Sequence, residues 1–262
     1  MILSPNLVSL AFILFSTMSG DSDHERTMEK PPPSTMRERY EQLTEKLRPH
    51  LDLDASQSGS STTFWVGVAG GPGSGKSTVA KEVADRLNQI RQDSAIVIPM
   101  DGWHIPQEDL IAAHGEEAMM KRGQHWTFDL DLMHKQLAEA KEKGEASLPI
   151  YSREISDPVP NGVKFEPHHK IVFVEGIYVL WKEKYPDLFS LWDDRWFVQC
   201  PSRQEQIDRL VNRSIKTWTE KKAKQWGQGL EGARKRVEVN DVTNMDAIKH
   251  CNQYADEIIV TV

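Results

Sequence analysis

Gly70-Gly71-Pro72-Gly73-Ser74-Gly75-Lys76-Ser77 follows directly on the apolar run Phe64-Trp65-Val66-Gly67-Val68-Ala69 and fits the spacing G-x-x-x-x-G-K-[ST]. A glycine-rich turn of this kind aims successive backbone N–H groups at phosphate oxygens, and a helix that follows it adds the positive end of its dipole. Val79, Ala80, Val83, Ala84, Leu87 and Ile90 recur at helical spacing just beyond, so the stretch reads strand, phosphate cradle, helix. Gly70 to Thr78 then form the nucleotide loop, with Lys76 reaching the outer phosphates of ATP and the Ser77 hydroxyl ligating Mg2+.

Outward from the loop, short apolar runs alternate with helical segments. The strand-like runs are Phe64 to Ala69, Ala95 to Met100, Lys170 to Val174, Arg195 to Gln199 and Glu257 to Val262. Alternation of this sort predicts an α/β fold of the type seen in nucleotide triphosphatases: a parallel sheet of about five strands with helices on both faces and a helical lid. Helices are expected over Glu108 to Lys121, Leu130 to Lys143 and, as one long charged element, Arg203 to Trp226. Ile150 to Pro167, with its prolines, reads as a loop or short hairpin.

Ligands collect at the carboxyl ends of strands in such sheets. The second run ends in Asp101-Gly102-Trp103-His104 and the third in Glu175-Gly176, which puts a carboxylate after each. Phosphoryl transfer to an alcohol needs a nucleotide cradle, a metal, a base at the acceptor hydroxyl and positive charge over the transferring group. Asp101 is the candidate base, with a turn or capping aspartate as the alternative. Glu175, closing Ile171-Val172-Phe173-Val174, is the candidate partner of Ser77 for the metal. Arg209 and Arg213 lie four apart on one helix face and could close over the phosphates, or else form a solvated face with Glu205 and Asp208.

The ordered set GGPGSGKST, MDGWHIP, KRGQHWTFD, PIYS with DPVP, IVFVEGIYVL and RLVNR resembles the P-loop kinases grouped as uridine kinase, type I pantothenate kinase and phosphoribulokinase. The likeness runs from the first strand to the end of the chain. It implies ATP-dependent phosphorylation of a small-molecule hydroxyl, with Asp101 matching the catalytic base and Arg209 and Arg213 the lid arginines. It also implies substrate contacts from His104, Arg122, Trp126 and Tyr151. One departure stands out: the pantothenate kinase pattern continues Tyr-Ser-His, whereas Arg153 follows Ser152 here. A cation in that place suggests a more acidic substrate or a remodelled pocket. Trp103, Trp126 and Phe128 stand open between a pocket wall and core. Asn240, Asp241 and Asn244 stand open between an approach to adenine and helix capping.

Composition bounds the rest. A chain of 262 residues with 39% hydrophobic content is ample for one such domain, expected over residues 62–262. Residues 1–61 read as an N-terminal extension with an apolar start, a polar linker and a short helix. Leu7 to Phe15 is too short to cross a membrane and no Lys or Arg precedes it. The extension therefore reads as dispensable or mis-assigned, with Met18 or Met28 as alternative starts, and a membrane partner is disfavoured. A formal net charge of -7 gives no basic field for nucleic acid. Two cysteines, Cys200 and Cys251, fit a reducing, cytoplasmic compartment. The partners expected are a small-molecule acceptor and, at most, a second copy of the chain as a homodimer. The competing reading is a nucleotide-binding regulator or P-loop NTPase that transfers nothing to a small molecule. Asp101 argues against it, since a switch needs no base, and no Asn-Lys-x-Asp guanine-reading segment is evident.

Overall fold

A computed structural model describes residues 35–52 and 63–261. The expectations for the apolar start, the linker and the boundary near residue 62 lie outside the described residues. Five strands, β1 (Phe64–Ala69), β2 (Ala95–Pro99), β5 (Ile171–Gly176), β6 (Asp194–Gln199) and β7 (Glu257–Val260), form one sheet in the order β2-β5-β1-β6-β7. Every pairing in it is parallel. This is the α/β sheet expected from the alternating runs.

Side-chain alternation along the strands divides the core in two. Val66 and Val68 of β1 face α1 (Met36–Leu47) and α2 (Lys76–Ile90), where Leu43, Leu47, Val79, Val83 and Leu87 bury with Phe173 and Trp196. Trp65 and Ala69 face the other way, toward Ile98, Met100 and Val174 and the buried stripe Leu130, Met133, Leu137 and Ala140 of α4 (Leu130–Lys143). The described part of residues 1–61 includes α1, whose Thr35 cap is a reciprocal capping box with Glu38. Its Arg39 and Lys46 both pair with Glu257 of β7.

Three expected elements differ in detail. The segment expected as a helix over Glu108 to Lys121 is α3 (Gln107–His114) followed by a 3-10 stretch, Glu116–Lys121. The long helix expected over Arg203 to Trp226 is two, α6 (Arg203–Lys216) and α7 (Glu220–Trp226). The Thr219 side chain caps the second by accepting from the Lys222 N–H, which outweighs continuation through Thr217 and Trp218. The proline-rich stretch is a full antiparallel pair, β3 (Ala146–Ser152) and β4 (Asp157–Phe165), separate from the main sheet. Pro149, Pro158 and Pro160 are tolerated because a two-stranded sheet consists only of edges.

Beyond α7, the helix α8 (Gly229–Arg236) runs through a π-helical turn, Val237–Val242, into α9 (Thr243–Ile248). With α6 they enclose a small cluster of Leu210, Val211, Ala233, Val237 and Met245 over the nucleotide loop. Among the described residues no helix is long and apolar enough to cross a membrane.

Candidate active site

Strand register assembles the two carboxylates. Glu175 lies opposite Val68 of β1 on one side and Pro99 of β2 on the other, two residues short of the loop's start at Gly70 and two short of Asp101. Ser77 Oγ donates to Glu175 Oε1 at 3.0 Å, and Lys76 Nζ stands 3.9 Å from Glu175 Oε2. Glu175 is buried, and its Oε2 accepts no hydrogen bond. Burial pushes its carboxyl above the usual range; Lys76 opposes this, and the neighbouring charge of Asp101 adds to it.

The loop itself is held from three sides. Gln206 of α6 donates to Pro72 O at 2.8 Å, Thr261 Oγ–H donates to Ser74 O at 2.8 Å, and a Cβ on Gly73 would lie 2.8 Å from Leu210. Gly75 caps α2 at φ 94, a left-handed conformation that supplies no capping side chain. The first N–H groups of α2, including those of Lys76, Ser77 and Thr78, therefore remain available to an anion.

Asp101 sits exposed on a 3-10 turn, Met100–Trp103, at the end of β2. Its carbonyl accepts from the His104 backbone at 3.3 Å and lies 2.9 Å from His104 Nδ1. The His104 ring is 3.9 Å from that of Phe128 and 5.0 Å from that of Tyr151. Burial holds the His104 imidazole below its usual range, with Asp101 opposing and Arg122 reinforcing the shift. Burial also pushes the Tyr151 hydroxyl up, Arg122 opposing and Asp101 reinforcing. The fields of Asp101 thus reach Glu175 on the nucleotide side and His104 and Tyr151 on the other.

Arg122 joins this second group, with its guanidinium 5.7 Å from the centre of the Tyr151 ring. Its two terminal nitrogens are committed to the protein, while its buried Nε has no partner. Nη2 donates to Asp157 Oδ1 at 2.6 Å and to Ile105 O at 3.0 Å, and Nη1 donates to Ser156 O at 2.6 Å. Arg122 thereby ties the turn of the β3–β4 hairpin to the segment after Asp101, and Arg153 stands exposed in that same turn.

The remaining residues are dispersed. Trp126 is half-buried, its Nε1 donating to Gln124 and its ring set edge-on to His114 rather than to His104 or Tyr151. Trp103 and Phe128 are core residues, the former donating to Gln136 at 2.7 Å. Arg209 donates to Thr261 Oγ1 at 2.9 Å and to its carbonyl at 3.3 Å, while Arg213 is exposed on the next turn of α6. Asp241, buried, pairs with Arg236 at 3.4 Å; burial raises its carboxyl, and Arg236, Arg213 and Lys76 oppose that. Asn240 and Asn244 cap no helix: their amides donate to the carbonyls of Arg122 and Gly123.

Sequence reasoning missed Gln206, Thr261 and Asp157. Their partners lie 134, 187 and 35 residues away, so no local pattern marks them.

The chain is similar to known kinases over most of its length. The model of the phosphoribulokinase/uridine kinase family matches residues 65–260. A candidate uridine kinase of Schizosaccharomyces pombe is 40% identical over 139 residues, which are 51% of this chain and 59% of that protein, less than two thirds of its length. A uridine kinase of Brevibacillus brevis is 31% identical over 195 residues, 74% of this chain and 83% of that one. Among solved structures, a candidate fructose transport system kinase from a Silicibacter species superposes with a TM-score of 0.68 at 25% identity, over 84% of this chain and 98% of that one.

Proposed function

The chain belongs to the phosphoribulokinase/uridine kinase family, whose members are ATP-dependent small-molecule kinases, and from that premise we propose that it phosphorylates a hydroxyl of a small metabolite, a nucleoside or a pantothenate-like acceptor. The observation that carries the reading is the register that sets Asp101 and Glu175 at one sheet edge beside the glycine loop. The carboxylate of Asp101 takes the proton of the acceptor hydroxyl as that oxygen bonds to the γ-phosphorus of ATP. The bond from the γ-phosphorus to the β,γ-bridging oxygen breaks, and ADP leaves.

Loop N–H groups and the start of α2 hold the phosphates, and Lys76 offsets charge on the transferring group. Arg209 and Arg213 are the lid cations in this reading. Glu175 and Ser77 suit a divalent cation: the buried carboxylate has an oxygen without a partner, and its other oxygen is bound to a hydroxyl that can itself ligate. Mg2+ held by these two residues would supply neutralisation of the polyphosphate. His104, Arg122, Trp126 and Tyr151 are the acceptor-side residues of the proposal. The adjoining rings of His104 and Tyr151 favour a ring-bearing acceptor, and the uridine kinase names of two relatives favour a nucleoside. Arg153 in place of the pantothenate pattern's histidine weighs against pantothenate itself.

The test is ADP release from purified protein with MgATP against nucleosides, pantothenate and small sugars. Acceptor-dependent release with a nucleoside is expected. Release that no alcohol stimulates would overturn the kinase reading.

A further inference from the structure

One continuous helical run, α8 through the π-helical turn to α9, presents two adjacent stripes to two different parts of the site. On the first stripe, Asn240 Nδ2 donates to Arg122 O at 3.0 Å and Asn244 Nδ2 donates to Gly123 O at 3.0 Å. The Tyr178 hydroxyl, buried at the end of β5, lies 2.8 Å from Gly123 O and 3.0 Å from Asn244 Oδ1. Gly123 has φ 110, and a Cβ there would face both amides, at 3.6 Å from Asn244 Nδ2 and 3.9 Å from Asn240 Nδ2. On the second stripe, one residue along in each case, Asp241 pairs with Arg236 and Met245 packs on the nucleotide loop, 3.0 Å from where a Gly71 Cβ would stand.

Asn244, held between Gly123 O and the Tyr178 hydroxyl, is fixed in orientation, while Asn240 holds the carbonyl of Arg122, the residue that anchors the hairpin turn through Asp157 and Ser156, and keeps its own Oδ1 buried without a partner. A π-helical turn is an uncommon geometry that recurs at functional sites, where the wider turn shifts the angular position of the side chains that follow it.

We propose that Asn240 and Asn244 are positioning residues of the acceptor site, and that the helix carrying them couples that site to the nucleotide loop. The proposal rests on the kinase reading for the identity of the acceptor side. The field at Asp241, shared among Arg236, Arg213 and Lys76, supports the coupling, because a polyphosphate arriving at Lys76 alters it.

Hydrogen exchange of residues 122–128, with and without a non-hydrolysable ATP analogue, decides the coupling without any acceptor. The analogue should slow exchange there at least about threefold in the unaltered protein, and Asn244→Ala should abolish that protection. Asn244→Asp keeps an oxygen facing Tyr178 and turns the donor to Gly123 into a carboxylate oxygen that repels its carbonyl; it serves if the alanine variant does not fold, and the same loss is expected. In ADP-release assays with uridine as the acceptor probe, Asn240→Ala should raise the acceptor KM about tenfold and the KM for ATP less than twofold. Equal protection in the variants, or KM values that rise together, would overturn the proposal. Nucleotide-dependent protection without ADP release to any alcohol would remove the kinase reading and leave the coupling standing.

Discussion

Ser77 on α2 and Glu175 on β5 are 98 residues apart in sequence and joined by a 3.0 Å hydrogen bond, with the other carboxylate oxygen of Glu175 left without a donor. A buried carboxylate with half its acceptor capacity unused costs the folded state stability in the absence of a cation.

Glu175→Gln keeps an oxygen for Ser77 and removes the desolvated charge. A carboxyl whose folded pKa is raised binds its proton more tightly in the folded than in the unfolded chain, so its ionisation costs stability as pH rises from the ordinary carboxylate range. At neutral pH the variant should melt a few degrees higher, on the order of 1 kcal/mol of stabilisation, and lose most of its phosphoryl transfer. Thermal melts in metal-free buffer together with kcat check this. A lower melting temperature would show that the Lys76 pairing outweighs desolvation.

Asp101→Asn should reduce kcat by roughly two to four orders of magnitude while the KM for ATP changes little, since the residue stands beyond the loop and holds no phosphate in the proposed mechanism. Steady-state ADP release at saturating acceptor measures it. Near-normal turnover would remove Asp101 as the base.

Acid should destabilise the protein through its histidines. Burial holds His50, His104, His125 and His169 below the usual imidazole range, so each binds a proton less readily folded than unfolded. Their effect is absent well above the unfolded value of about 6.5 and grows as pH falls through and below it. The melting temperature should therefore decline from about pH 6.5 downward, and His104→Gln should flatten that decline. An unchanged slope in the variant would assign the effect to the other three.

Thr261→Val conserves shape and removes the hydroxyl that donates to Ser74 O and accepts from Arg209. The KM for ATP should rise about five- to tenfold with a smaller change in the acceptor KM. Equal changes in the two would indicate a general loosening of the fold.

Much of this molecule was readable from residue order, for a physical reason. Strands of a parallel sheet bury both faces, so Phe64 to Ala69 and Ile171 to Val174 stand out as uninterrupted apolar runs, and the loop after β1 is chemically local. The carboxylates became legible through the rule that strand ends carry ligands, applied to Asp101 and Glu175. What escaped was either competition between neighbouring turns or contact across the chain. The Thr219 cap divides a segment whose charge pattern reads as one helix. Nothing local to Arg122 marks that Asp157, Ser156 and Ile105 hold its two terminal nitrogens. Asn240 and Asn244 lack any local signature because their partners are main-chain carbonyls more than a hundred residues earlier.

The hairpin β3–β4 shares no ladder with the five-stranded sheet. Its residues are thus released from the register that aligns the donor-side groups, and it is fastened instead by Arg122 and Gln107 at its turn and by Leu148 and Phe165 in the core. Exchanges within it can redraw the outline offered to an incoming alcohol while the apparatus that grips ATP stays as it was. Diversification of substrates among related enzymes would then proceed at the periphery, with the energy-delivering half inherited intact.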